Sequence, residues 1–136
     1  MRNVTKSFSN TSIVVDASAI IQALLKASLR EIQAGRSLHA PYLIDIEVLH
    51  ALRRMSLARV LDDERASEAI LDFADLRMDR FPHERLIPRI WSLRDNFSAY
   101  DAAYVALAEI LESPLVTCDV RLAHAAAKFI DVEVAE

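Results

Sequence analysis

The sequence predicts an α/β fold, a mostly parallel central β-sheet flanked by helices, and three observations carry that prediction. Short apolar runs of three to five residues alternate along the chain with longer segments of helical periodicity. No two-residue hairpin turn joins consecutive runs, so the strands need crossover connections. With 136 residues, 53% of them hydrophobic, the chain can bury one core rather than two.

The elements follow in order. Residues 1–12 read as a polar N-terminal tail without the apolar h-region of a secretory signal, and the domain is expected to span 13–136. Ile13, Val14 and Val15 form a first β-branched strand. A helix over 17–34 follows, with Ile20, Ile21, Leu24, Leu25, Leu29 and Ile32 on its apolar positions and Gly35 as its left-handed stop. Leu38 to Ala40 is a short second strand, and Pro41 is expected to open a helix reaching about Met55. A surface helix over 62–77 turns Ala66, Ala69, Ile70, Phe73 and Leu76 inward. A third strand at 78–81 ends at Pro82, and a helix over 84–94 buries Leu86, Ile90 and Leu93, with Pro88 in its first turns. Ser98 starts a helix to Leu111, Ser113 and Pro114 break it, and strands at 115–117 and 132–134 enclose a helix over 120–129.

Composition removes several function classes. A single glycine excludes the dinucleotide fingerprint and the phosphate-cradling P-loop. A single cysteine, Cys118, excludes an internal disulfide and a zinc cluster, so a reducing cytoplasm is the expected compartment. No apolar stretch approaches the ~18 residues of a membrane span, and no membrane partner is expected. The net charge of −4 argues against non-specific adhesion to nucleic acid, although it does not exclude a nuclease whose acids gather around a cation. Only Lys6, Lys26 and Lys128 are lysines among 16 cations, a bias that a GC-rich genome explains as well as phosphate contact does.

In parallel sheets ligands bind beyond the carboxyl ends of the strands, and acids stand at those junctions. Asp16 follows the first strand and Asp119 the strand at 115–117; each also suits a helix N-cap, with Ser18 a competing cap for the first helix. Asp101 stands three residues after Ser98, a capping-box spacing that accounts for it as well as a catalytic role does. Glu47 lies inside a helix among apolar neighbours, so it faces a partly buried surface and needs a partner. If the four converge, two carboxylates ~5 Å apart at an effective dielectric of ~20 repel by roughly 3 kcal/mol. A cation or protons must then compensate, and oxygen-only ligands favour Mg²⁺ or Mn²⁺ over zinc.

The runs Ile13-Val14-Val15-Asp16-Ala17-Ser18-Ala19, Glu47 to Arg54, Tyr100-Asp101-Ala102-Ala103-Tyr104 and Val116-Thr117-Cys118-Asp119 give the chain a family likeness. From about residue 13 to 134 it resembles the PIN-domain ribonucleases of the VapC toxin type. The resemblance implies a PIN-like fold and a Mg²⁺- or Mn²⁺-dependent endoribonuclease that leaves 5′-phosphate and 3′-hydroxyl ends. It also implies a homodimer held in check by a cognate VapB-type antitoxin. On it, Asp16, Glu47, Asp101 and Asp119 match the acidic quartet, with Glu47 acting through water, and Ser18 and Thr117 match the supporting hydroxyls. The polar extension and the scarcity of glycine depart from the family pattern away from this site.

The remaining singular residues have ordinary readings. Arg53, Arg54 and Arg59 can meet RNA phosphates or an acidic antitoxin segment, but cations near a helix C-terminus need no ligand. His39, His50, His83 and His124 are read as structural or surface groups, Trp91 as core or dimer packing, and Cys118 as a small buried residue. Two alternatives remain: a catalytically idle PIN-fold binding module, and a receiver-like phosphoacceptor domain, which would want adjacent acids after the first strand where this chain has Asp16 followed by Ala17.

Overall fold

Burial on both faces dictates the first strand. In the computed structural model, which describes residues 11–135, Ile13, Val14 and Val15 are wholly excluded from solvent, as the middle strand of a parallel sheet requires. The polar tail predicted over 1–12 lies outside the described residues up to residue 10, and Ser12 already belongs to the strand. The strands are β1 (Ser12–Val15), β2 (Ser37–Pro41), β3 (Asp79–Phe81), β4 (Leu115–Thr117) and β5 (Val132–Val134). They form one sheet in the order β3-β2-β1-β4-β5 with every neighbouring pair parallel. The order departs from the 2-1-3-4-5 arrangement of receiver-like domains and removes that alternative.

The order of strand addition switches sides at β1. Strands are added on one side of β1 as far as β3, and the chain then returns to lay β4 and β5 on the other side. Val14 sits beside Leu115 and Val15 beside Val116, so β1 and β4 end side by side. Their carboxyl ends mark the switch point, beyond which sheets of this kind bind ligands.

Among the described residues seven α-helices surround the sheet: α1 (Ala17–Leu25), α2 (Leu29–Gln33), α3 (Ile44–Leu57), α4 (Asp63–Asp75), α5 (Ile87–Ser92), α6 (Ala99–Leu111) and α7 (Val120–Ala126). Helices α1, α3 and α4 pack on one another, α5 packs on α6, and α6 crosses β1, β2 and β4. From Ala102 to Ala108 every residue of α6 is buried, the mark of a helix enclosed on all sides. No described helix is long and apolar enough to cross a membrane.

Five expectations are corrected, each by a contact distant in sequence or by helix geometry. The helix expected over 17–34 is two helices. Ala27 turns left-handed at φ +54°, the Ser28 N–H bonds the Ala23 carbonyl, and Arg65 Nη2 from α4 donates to the carbonyls of Leu24 and Leu25 at 2.8 and 3.2 Å. Pro41 ends β2 instead of opening α3. The Tyr42 N–H continues the ladder to Phe81, and the Leu43 N–H is taken by His83 Nε2 at 3.0 Å, which postpones the helix. On α4 the inward stripe is Ala66, Ala69 and Phe73 with Leu76 after it, while Ile70 lies at the stripe's edge and is exposed. The segment expected as one helix over 84–94 starts as a 3₁₀ turn (Glu84–Leu86) before α5. Leu86 and Leu93, seven residues apart, share its buried face, Ile90 is half-buried, and Trp91 is 67% exposed beneath the Arg94 guanidinium rather than in the core. Finally α7 ends at Ala126 because the N–H groups of Phe129 and Ile130 both turn back to the Ala126 carbonyl.

Arg65 ties α4 to the end of the helix that begins at Asp16. Arg65→Ala is expected to lower unfolding stability by about 1–2 kcal/mol, read as a lower urea midpoint with an unchanged slope.

Candidate functional site

The four candidate acids stand on four segments around the switch point. Asp16 leaves β1 with an extended backbone and caps α1, its Oδ1 accepting the Ala19 N–H at 3.0 Å and the Ser18 hydroxyl at 2.7 Å. Its Oδ2 accepts the Thr117 hydroxyl at 2.5 Å, so both oxygens are held although the residue is only 6% exposed. Thr117, the fully buried end of β4, also accepts the Asp119 N–H at 3.0 Å, and Ser18 accepts the Cys118 N–H at 2.9 Å. Ser18 and Thr117 therefore lock the ends of β1 and β4 together around Asp16. Asp119 caps α7 by accepting the Leu122 N–H at 3.1 Å and is itself exposed.

Asp101 and Glu47 come from helices. The Asp101 N–H donates to the capping hydroxyl of Ser98 at 3.1 Å, but among the described residues no hydrogen bond is made to the Asp101 carboxylate, so the return half of a capping box is absent. Capping thus accounts for Ser98 and leaves the half-buried carboxylate of Asp101 without a structural duty. Glu47 has the partner its apolar surroundings demand: the hydroxyl of buried Tyr104 donates to Glu47 Oε1 at 2.6 Å. Asp45, two residues earlier, is engaged elsewhere, with Arg80 at 2.8 Å.

Burial and neighbouring charge raise three of the four acids. Burial pushes the Asp16 carboxyl above its ordinary range, the hydrogen bonds from Thr117, Ala19 and Ser18 pull it back, and the Asp119 charge raises it further. Burial likewise raises Glu47; the Tyr104 bond opposes the rise and the charges of Asp101 and Asp16 add to it. Asp101 is raised by burial and then by Asp119 and Asp16, with Arg121 acting against them. Asp16 thus feels Asp119, Glu47 feels Asp101 and Asp16, and Asp101 feels Asp119 and Asp16, links between segments that sequence spacing alone leaves open.

As a cation site the group has suitable chemistry and an incomplete shell. Its donors are oxygens only, which suits a hard divalent ion. Among the described residues no three His, Cys, Asp or Glu side chains form a ready-made metal-holding set. Magnesium keeps several of its waters and binds through one or two carboxylates, so one or two of Asp16, Asp101 and Asp119 could hold such an ion without a closed protein cage.

Other sequence candidates stand apart. Arg53, Arg54 and Arg59 are exposed around the end of α3. His83 serves the start of α3, His39 bonds Ser37, and His50 and His124 are on the surface. Cys118 is half-buried, its thiol pushed up by burial and donating to Gln22 Oε1 at 2.7 Å. Sequence reasoning assigned no role to Tyr104, Arg121 or Gln22. Tyr104 alone carried a signal, three residues beyond Asp101 on the same helix while Glu47 lacked a partner.

Comparison with known proteins places this arrangement. The PIN domain family profile matches residues 13–128. VapC ribonuclease Mb0985 of Mycobacterium bovis is 45% identical over 111 residues, covering 81% of this chain and 87% of that protein. The chain belongs to the PIN-domain family of VapC ribonucleases. Ribonuclease VapC1 of Mycobacterium tuberculosis is 44% identical over 118 residues, covering 82% of this chain and 89% of that VapC. Ribonuclease VapC12 of the same species is 34% identical over 125 residues, with coverages of 89% and 97%. The PIN fold is also met in two crystal structures. PAE2754 from Pyrobaculum aerophilum has a TM-score of 0.64 at 22% identity over 89% of this chain and 83% of its own. VapBC2 from Rickettsia felis, bound to a promoter DNA fragment, has a TM-score of 0.68 at 12% identity over 92% and 99%.

For this VapC-family chain the raised carboxyls have a stability consequence. Asp16, Glu47 and Asp101 take up protons more readily folded than unfolded, so their contribution favours folding below the ordinary carboxylate range and is lost as pH rises through their raised values. In EDTA at about pH 7.5, Asp101→Asn is expected to be more stable than wild type by up to about 1 kcal/mol. Urea unfolding at decreasing pH should show that gain shrink and then vanish below the ordinary Asp range, where the wild-type carboxyl is neutral both folded and unfolded.

Proposed function

We propose that the protein is a Mg²⁺- or Mn²⁺-dependent endoribonuclease, the toxin of a type II toxin-antitoxin pair, which hydrolyses RNA phosphodiester bonds at Asp16, Glu47, Asp101 and Asp119. The observation that carries this reading is the buried Asp16 carboxylate at the switch point of a VapC-family chain, held by Thr117 and Ser18, with its charge raising Glu47 and Asp101 and the Asp119 charge raising Asp16 and Asp101.

In this reading Asp16, Asp101 and Asp119 hold the cation. When bound, the cation neutralises charge at the scissile phosphate and makes a water more acidic. Asp16 is the fixed member, because Thr117 and Ser18 occupy both of its oxygens with hydrogen bonds and leave it little freedom to turn. Asp101 is the free-handed member, its carboxylate unclaimed by the fold. Glu47 is held through Oε1 and orients water with its other oxygen. Asp16 and Asp101 both stand at helix starts, where the backbone dipole favours negative charge and offsets part of the cost of gathering acids.

The partners we assign are an RNA substrate, a VapB-type antitoxin and a second copy of the chain in a cytoplasmic homodimer. The VapBC assembly named for the Rickettsia felis neighbour supports the antitoxin, and exposed Arg53, Arg54 and Arg59 are open to phosphate or to an acidic segment. The competing reading, an idle PIN-fold module, draws on the absence of a ready-made set of three ligands among the described residues. Metal binding without cleavage would favour it.

The test is cleavage of a mixed structured RNA pool by purified, antitoxin-free protein with Mg²⁺, with Mn²⁺ and with EDTA. Cleavage is expected to require the metal and to fall ~100-fold or more in Asp16→Asn and Asp101→Asn. Asparagine is itself a good helix cap, so the fold of Asp16→Asn should survive. Cleavage persisting in both folded variants would remove these carboxylates from the reaction.

A further inference from the structure

Tyr104 is among the largest fully buried side chains of the protein, 2% exposed, yet its hydroxyl turns to the site instead of to the backbone. A buried phenol needs a hydrogen-bond acceptor, and this one meets Glu47 Oε1 at 2.6 Å, the short O–H···O distance typical of an ionised acceptor. Residues 57 positions apart in sequence are joined by that bond. Tyr104 lies in the buried stretch of α6, flanked by Ala103 and Val105, so its ring has one available position, set by packing. Glutamate on a half-buried helix face has several rotamers of its own; the phenol selects one of them.

The same helix carries Asp101 one turn earlier, and residues three apart share a helix face. Helix α6 thus presents one acid directly and holds another, on α3, through a hydroxyl. Its burial over seven consecutive residues makes it a rigid ruler for both. Rigid support of this kind keeps a constellation of carboxylates within the narrow tolerances that metal and phosphate geometry demand.

We infer that Tyr104 is a positioning residue of the acidic site: its hydroxyl holds Glu47 in one orientation and fixes it relative to Asp101. The inference rests on the metal-dependent reading proposed above. A purely structural role would be the alternative, with the phenol taking the nearest acceptor and Glu47 indifferent to it.

Mn²⁺ binding by the full chain without RNA, followed by electron paramagnetic resonance, separates the two in a double-mutant cycle of Tyr104→Phe and Glu47→Gln. Tyr104→Phe keeps the ring and is expected to weaken Mn²⁺ binding ~10-fold, while in the Glu47→Gln background the same change should alter affinity by less than about twofold. Glu47→Asp, which keeps the charge but draws it back from the phenol and leaves Tyr104 in place, is expected by itself to weaken Mn²⁺ binding ~10-fold; this arm needs no Tyr104 variant. Equal losses in both Glu47 backgrounds, or no loss in either, overturn the positioning role. Wild type that binds no Mn²⁺ overturns the metal-dependent reading and this inference with it, whereas normal wild-type binding with an unaffected Tyr104→Phe overturns the inference alone.

Discussion

A carboxylate taken out of water must be hydrogen-bonded, paired or protonated, and Asp16 meets that requirement with the ends of two strands. Thr117 closes β4 and Ser18 opens α1; their hydroxyls bond the two oxygens of Asp16, and Ser18 in turn holds the backbone of Cys118. Satisfying this one buried acid therefore joins β1 to β4 beyond their shared ladder. It also brings Asp119 to the same place, since the Asp119 N–H bonds the hydroxyl that bonds Asp16. The switch point is thus defined by polar bonds as well as by strand order.

The remaining acids arrive through helices whose own requirements differ. Helix α6 is so thoroughly buried that its path leaves little choice, and its start at Ser98 delivers Asp101 to the carboxyl edge of the sheet. Helix α3 is only partly buried, and its start depends on His83 and on the ladder through Tyr42. Glu47 inherits that looser placement, and the phenol of Tyr104 restores order to it. Gathering the acids costs stability at neutral pH, because burial and neighbouring charge both favour their neutral forms. A fold selected for stability alone would not keep these groups together, which is why their convergence speaks for function.

Much of this was readable before any coordinates. Strands at 115–117 and 132–134 coincide with β4 and β5, Ser98 is the cap of α6, and Gly35 is left-handed as a helix stop should be. These are local matters: β-branched runs, a short polar side chain facing unpaired N–H groups, a residue without Cβ at positive φ. The four acids were identifiable for the same reason, since a carboxylate that follows a buried strand or sits among apolar helix positions is conspicuous in one dimension. Capping is what Asp16 and Asp119 visibly do, without excluding the role proposed for them, whereas the Asp101 carboxylate does no capping among the described residues.

Most of the features that escaped sequence reasoning depend on a partner far along the chain; the end of α7, made by bonds to the Ala126 carbonyl from Phe129 and Ile130, is a local exception. The break between α1 and α2 is made by Arg65, the late start of α3 by His83, and the exposure of Trp91 and Ile70 by where neighbouring helices lie. The bond between Tyr104 and Glu47 belongs to the same class. Periodicity and capping are properties of ten or so neighbouring residues and are written in their order. Which hydroxyl reaches which carboxylate is settled only when packing and strand order bring distant segments to one edge of the sheet, because hydrogen bonds and charges act over a few ångströms of space irrespective of separation along the chain.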